Sequence, residues 1–340
     1  VYDDPAFRRQ LADAAASLPV GPSTDPRSVV TPLVRPPAGE LLAALTKLEP
    51  GEEWLLEPKQ IGADPCLWSP GIKLGVKPGT RFHRHECFGP VLGLMRAESL
   101  EQAIEWQNAT DFGLTAGLHS LDPAEQALWR DRVAAGNLYI NRPTTGAVVQ
   151  RQPFGGWKRS SVGPGSKAGG PNYTYLFATL SDDGPRSLDA VAESYRRAWR
   201  EHFAVEHDPS GLRSETNAFR YRPCGGVLLR LSKPCEETAA RARLAAEVTG
   251  TRLEISLATE EPDEAFAARL AGGRFEVLRS VEPLPDVVLR AAHAAALKCI
   301  DAPITAEGRI ELRYWLREQA VSTTRHRYGQ IPSWVPPQPR

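Results

Sequence analysis

Neither charge sign is in excess in this chain: lysine plus arginine and aspartate plus glutamate both number 41 among 340 residues. A zero balance without a basic stripe excludes the electrostatic footprint of a nucleic-acid binder or of a protein held on an anionic membrane. Cysteine is scarce, odd in number and scattered, at Cys66, Cys87, Cys224, Cys235 and Cys299, with no CxxC spacing. That excludes a disulfide framework and a zinc knuckle, so no metal is expected and a reducing cytoplasm suits the chain. No run reaches the roughly 18 to 20 apolar residues that span a bilayer, and no basic segment followed by an apolar one opens the sequence. No G-x-G-x-x-G stands at a strand-to-helix junction, and residues 163–167, GPGSK, lack the G-K-[ST] order of a phosphate loop. Partners are therefore expected to be small molecules or further subunits. The first residue is Val, and the chain reads as cut from something longer.

What is present is a loop suited to holding a small anion. Residues 144–160 read TTGAVVQRQPFGGWKRS. Gly146 has no side chain to block its own amide or the next, so consecutive N–H groups can converge on a carboxylate as a nest. Pro153 fixes one φ angle, Gly155 and Gly156 permit φ values closed to other residues, and Phe154 is presented as an apolar wall. About sixty residues upstream the chain reads HECFGPV over residues 85–91, a carboxylate and an aromatic before a Gly-Pro turn. Glu86 can there accept hydrogen bonds from both hydroxyls of a ribose. His85 and Cys87 would share a face if this run were a strand, but a buried, inert thiol is the commoner case. Lys158, Arg159 and Lys167 read as a solvated basic face.

Around these motifs the apolar periodicity predicts helices over residues 5–17, with Asp4 before Pro5 as cap, and over 40–47. A short strand is expected at 54–58. From 91 to 141 the pattern is strand, helix, loop, helix, strand, an alternation that argues for parallel strands in an α/β layer. Residues 173–178 read as a strand. A polar, turn-rich segment at 181–185 precedes an amphipathic helix marked by Leu188, Val191, Tyr195, Trp199 and Phe203. Beyond residue 220 the rhythm restarts as strand 226–231, helix 236–248, strand 252–257, helix 263–270, strand 275–279 and helix 286–297, a Rossmann-like unit without a phosphate fingerprint. Residues 308–322 read as a helix, and a proline-rich tail closes the chain.

Together the ECFGPV and QRQPFGGWKRS elements resemble the C-terminal half of an NAD-dependent aldehyde dehydrogenase. TGAVVQRQPFGGWKRSSVGPGSKAGGPNY resembles more narrowly the glutamate-semialdehyde (pyrroline-5-carboxylate) dehydrogenase branch, in the form fused to proline dehydrogenase. The implied fold class is α/β: part of a three-layer catalytic domain over 1–180, a linker with an amphipathic helix over 181–218, a smaller Rossmann-like domain over 219–328, and a tail over 329–340. The resemblance implies that Gly146 and Ala147 bind the α-carboxylate of the substrate, that Phe154 walls it, and that Glu86 and Phe88 contact NAD. Some members carry Ser where Ala147 stands, so one hydroxyl donor is missing here. The nucleophilic Cys and the base Glu are expected upstream of this sequence, leaving no catalytic residue in it and an inactive isolated chain. FAD is expected only in a proline dehydrogenase module of the parent, which would assemble as a homo-oligomer. The alternative is a non-catalytic binding or assembly module of the same origin.

Overall fold

The computed structural model describes residues 3–149 and 151–326, in two compact units that divide between Asp111 and Phe112. The tail expected at 329–340, and Gln150 of the candidate anchor loop, lie outside the described residues.

The first unit begins with helix α1 (Pro5–Ala16), capped as its sequence requires: the Asp4 carboxylate accepts the amides of Ala6 and Phe7. Helix α2 (Gly39–Thr46) follows. Strand β1 (Glu53–Leu56) pairs antiparallel with β2 (Gly71–Leu74), which pairs in parallel with β3 (Val91–Gly93). Between β2 and β3 lies one helical turn, α3 (Arg81–Arg84), and α4 (Leu100–Asn108) follows with Ser99 as cap. The ECFGPV run thus leaves a helical turn and not a strand.

The second unit contains two four-stranded sheets of different construction. Strands β5 (Thr115–Leu118) and β6 (Asn137–Ile140) are parallel and flank α5 (Pro123–Arg132). The two-residue strands β4 (Phe112–Gly113) and β7 (Trp157–Lys158) pair beside them. Helix α6 (Leu188–Ala198) runs on as a π turn over Trp199–Phe203, burying Val191, Tyr195 and Phe203 at the expected steps. Then comes β8 (Glu215–Pro223), a strand that no periodicity announced.

The restarted rhythm folds as expected through β9 (Val227–Leu231), α7 (Glu236–Thr249), β10 (Leu253–Leu257), α8 (Asp263–Leu270), β11 (Val277–Ser280) and α9 (Asp286–Ala294), and a further strand that was not expected, β12 (Lys298–Ile300), follows. These strands form an all-parallel sheet in the order β10-β9-β11-β12. Both faces are covered, because Val227, Leu229 and Leu231 pack with Val191, Tyr195 and Phe203, while Leu228 packs with Phe266 and Val288. A doubly buried parallel strand reads as a near-continuous apolar run, as VLLRL does but for Arg230, which is buried and paired with Asp263 at 2.7 Å.

Two expectations fail. Residues 308–322 are not one helix: α10 (Gly308–Glu311) and a 3₁₀ turn end at Tyr314, and β13 (Leu316–Thr324) follows. β13 enters the first sheet between β6, to which it is parallel, and β8, to which it is antiparallel over nine residue pairs, giving the order β5-β6-β13-β8. The helix-favouring residues of LREQAV are overridden because those positions bury against two neighbouring strands. Residues 173–178, expected as a strand, form instead a 3₁₀ helix over Tyr173–Phe177 that leaves Phe177 80% exposed.

Candidate functional site

In the second unit, Asn141 ends β6 in the left-handed region at φ +57°, and its amide locks to both backbone groups of Ser120, at 3.0 and 2.8 Å. The chain then turns out into an exposed loop. Gly146 adopts φ +87°, which explains why glycine stands there. A Cβ at Gly146 would meet nothing within 4 Å, so the constraint is conformational and the space beside it is open. The Gly146 carbonyl accepts from the Tyr139 hydroxyl at 3.3 Å, and the Val148 N–H donates to the Gln152 carbonyl oxygen at 3.2 Å. Among the described residues no protein acceptor takes the N–H of Gly146 or Ala147. Two adjacent, exposed, unclaimed amides on a left-handed glycine are the elements of an anion nest.

Phe154 is half-buried, and its backbone bridges to Ala168 with bonds of 2.9 and 3.0 Å. Neither Gly155 nor Gly156 has a positive φ, so the expectation that they supply unusual backbone angles is corrected. Their service is close approach. A Cβ on Gly156 would strike Ser160, and one on Gly155 would sit 3.3 Å from Lys167 Cγ.

Beneath this loop lies a buried polar framework that the sequence did not announce. The Asn137 side chain donates to the Pro153 carbonyl at 3.1 Å and accepts from the Gly155 amide at 3.2 Å. Lys167 donates through Nζ to the Gly155 carbonyl and to Asn137 Oδ1, and through its backbone amide to Glu318 at 2.7 Å. Asn172 donates to the other Glu318 oxygen at 2.8 Å and to the Tyr221 hydroxyl at 3.0 Å. Lys167 is 1% exposed, which corrects its reading as part of a solvated basic face. Burial pushes the Lys167 ammonium below the ordinary lysine range and the Glu318 carboxyl above the ordinary carboxylate range. Gln152, only 3% exposed, passes its amide to Asn217 on β8 at 3.0 Å, and Ser322 on β13 donates to the same Asn217 oxygen at 2.9 Å. Glu215 pairs with Arg142 at 3.0 Å and Arg151 at 3.6 Å, the two cations flanking the loop.

In the first unit, Glu86 is exposed, and among the described residues its carboxylate has no hydrogen bond or ion pair. Phe88 beside it is 82% exposed at φ +48°, a backbone region that costs a bulky side chain of order 1–3 kcal/mol. A carboxylate with all its acceptor capacity free, next to an outward aromatic held under strain, suits a ribose diol and the ring it carries. Cys87 makes no dyad: its sulfur faces the His85 carbonyl at 3.6 Å, while His85 Nδ1 lies 3.2 Å from the Arg81 carbonyl. Burial pushes the Cys87 thiol up. Cys66 and Cys299 are also raised by burial, and Cys224 is pushed up to about 11. Only Cys235 is lowered, through its bond to the Thr238 hydroxyl. No His/Cys/Asp/Glu group able to hold a metal occurs among the described residues, and no helix among them is long and apolar enough to cross a membrane.

Over 107 residues the chain is 42% identical to a 1-pyrroline-5-carboxylate dehydrogenase of Geobacillus, covering 32% of this chain and 20% of that protein. Over 139 residues it is 40% identical to the bifunctional protein PutA of Rhizobium meliloti, covering 40% of this chain and 11% of that one. The structure of proline utilization A from Corynebacterium freiburgense superposes with a TM-score of 0.87 at 45% identity, over 97% of this chain and 35% of its own. The likeness to that structure therefore runs through the parallel layer as well, and this sequence spans about a third or less of each of these relatives. Residues 1–179 match the aldehyde dehydrogenase family model, and the chain belongs to the aldehyde dehydrogenase family.

Proposed function

We propose that this chain is the C-terminal part of an NAD-dependent L-glutamate γ-semialdehyde dehydrogenase, a parent that also carries an FAD-dependent proline dehydrogenase module. Residues 1–180 form the family portion, the parallel layer from β9 to β12 is a Rossmann-like part that binds no nucleotide, and β8 and β13 join the sheet of the family portion. The observation that carries this reading is the pair of unclaimed amides at Gly146 and Ala147, backed by Phe154. An α-amino acid aldehyde presents a carboxylate of the right size to a two-amide nest and a short methylene chain to a phenyl wall. Ala147 contributes its amide alone, so the backbone is the main recognition element. Glu86 would accept from the ribose hydroxyls of NAD, with Phe88 beside it; the cofactor, when bound, accepts hydride from the substrate.

Within this sequence the residues bind and orient; none is assigned to the chemistry. Cys66, Cys87, Cys224 and Cys299 all have raised thiol pKa values, the opposite of an activated nucleophile, and Cys235 lies in the parallel layer far along the chain from the family portion. On the family resemblance, the thiolate and the general base are expected outside this sequence, and the isolated polypeptide is expected to give no NAD reduction with the semialdehyde. In the complete protein, Gly146→Val forces a β-branched residue to φ +87° and turns both amides away. KM for the semialdehyde should rise at least about tenfold, since losing one charge-assisted hydrogen bond costs about 1.5–3 kcal/mol, while KM for NAD stays within twofold. An unchanged semialdehyde KM in the folded variant removes the anchor assignment.

A further inference from the structure

The anchor loop and its apolar wall carry a few bonds of their own, between Val148 and residues 151–152, but the fully buried side-chain contacts that fix them lead to residues outside the loop. Asn137 and Tyr139 of β6, with Lys167 and Ala168, support it from near in the chain. The others come from β8 and β13, which lie far along it. The Gln152 side chain sits between the two systems. Its side-chain oxygen takes the Val148 amide, the N–H that follows those of Gly146 and Ala147, and so removes it from competition for an anion held there. Its nitrogen is spent on Asn217 Oδ1 at 3.0 Å. Asn217 is in turn fixed from four sides: by Ser322 at its oxygen, by Ser210 and Glu215 at its nitrogen, and by the Asp208 carboxylate at its backbone amide, at 2.8–3.1 Å. Because the Asn217 amide has no freedom to flip, the Gln152 amide has none either, and the oxygen of Gln152 must face Val148.

We propose that Asn217 is a positioning residue for the amino-acid site, setting through Gln152 which amides of the anchor loop remain free, and that the β8–β13 pair is thereby part of the substrate-recognition apparatus. This rests on the anchor reading of Gly146 and Ala147. Asn217 touches no substrate in this scheme. Removing its carboxamide leaves Gln152 free to rotate, and the loop then samples conformations in which the Val148 amide competes and the nest opens.

The experiment is Asn217→Ala in the complete protein, with two readouts. The first is hydrogen exchange of peptides covering residues 144–152, which needs no substrate. The expected result is exchange of the Val148 region faster by about tenfold, the factor that corresponds to one lost hydrogen bond of ordinary strength. The second is a split in kinetics: KM for the semialdehyde up about tenfold, kcat down less than threefold, KM for NAD unchanged. Unaltered exchange in a folded Asn217→Ala protein overturns the proposal, as does an equal rise in both KM values. If Asn217→Ala fails to fold, Ser322→Ala removes one hydroxyl from the same oxygen and should shift both readouts in the same direction by about threefold; no shift overturns the proposal equally. Faster exchange with an unaltered semialdehyde KM, in a protein whose Gly146→Val variant also leaves that KM unaltered, upholds the Gln152–Asn217 coupling and sinks the anchor reading instead.

Discussion

The two four-stranded sheets of the second unit are built by opposite means. The parallel sheet β10-β9-β11-β12 comes from one run of sequence, each strand followed by a helix that covers it. The mixed sheet β5-β6-β13-β8 draws strands from residues 115–140, 215–223 and 316–324. The parallel sheet is held by apolar packing on both faces, with two buried arginines, Arg230 and Arg279, paired to Asp263 and Glu311. Under the mixed sheet lies a network of buried amides, carboxylates and one lysine, and the mixed sheet is the one attached to the candidate site.

The strongest way to break that contrast is Val321→Asp. Val321 is 2% exposed and stands between Leu138 on β6 and Ala218 on β8. An unpaired carboxylate there should cost about 3 kcal/mol or more. Denaturant melts should show the loss, while hydrogen exchange across β9 and β11 stays slow under conditions where β6 and β8 exchange freely. Loss of protection in both sheets together would mean that they form one cooperative body and not two.

A smaller effect separates the sheets by pH. His202 donates or accepts at the Tyr221 hydroxyl, 3.0 Å away on β8, and burial, helped by Arg309, depresses its pKa to about 4. The unfolded chain protonates this ring near 6.5, so its contribution is complete above that pH and is lost as the solution is acidified toward 4. The shift sets a ceiling of about 3 kcal/mol, and partial exposure reduces it to about 1–2 kcal/mol. Thermal melts at pH 7 and pH 4.5 should show a smaller acid-induced drop for His202→Gln than for the parent sequence; equal drops would remove His202 as the source. The smallest effect belongs to the parallel layer's surface. Arg243 pairs with Glu236 at 2.8 Å with both side chains more than half exposed, and Arg243→Ala should change stability by no more than about 0.5 kcal/mol.

The same contrast explains what could be read from the residues alone. The Asp4-Pro5 helix start, the apolar steps from Leu188 to Phe203 and the strand–helix alternation after residue 226 were all legible, because each is specified within about fifteen residues. β13 was not, because LREQA favours a helix in isolation, and the reason to be a strand lies in partners near residues 137 and 220. Lys167 looked like a surface cation for a similar reason: its acceptors, Gly155 and Asn137, and its neighbour Glu318 are invisible to local pattern. For the candidate site, Gly146 was legible as a residue whose missing side chain leaves neighbouring amides open, and Phe154 as a wall; the positive φ, expected at Gly155 and Gly156, falls at Gly146 instead. Gln152, Asn137, Asn217 and Glu318 were missed, since an amide or carboxylate in a polar stretch has no local signature of burial. The only available hint was the density of Asn, Gln and Ser in segments that otherwise carry β-branched and aromatic residues.

The central place of β13 also dictates an order of events at the ribosome. β6 emerges early, yet the edge it offers cannot be filled until residues 316–324 have been made. At about 5–20 residues per second, that leaves an open sheet edge for roughly 10 s or more. The older sheet is therefore closed last, after the strands of the parallel layer have been made, so a chaperone that shields the exposed β6 edge would act within that interval.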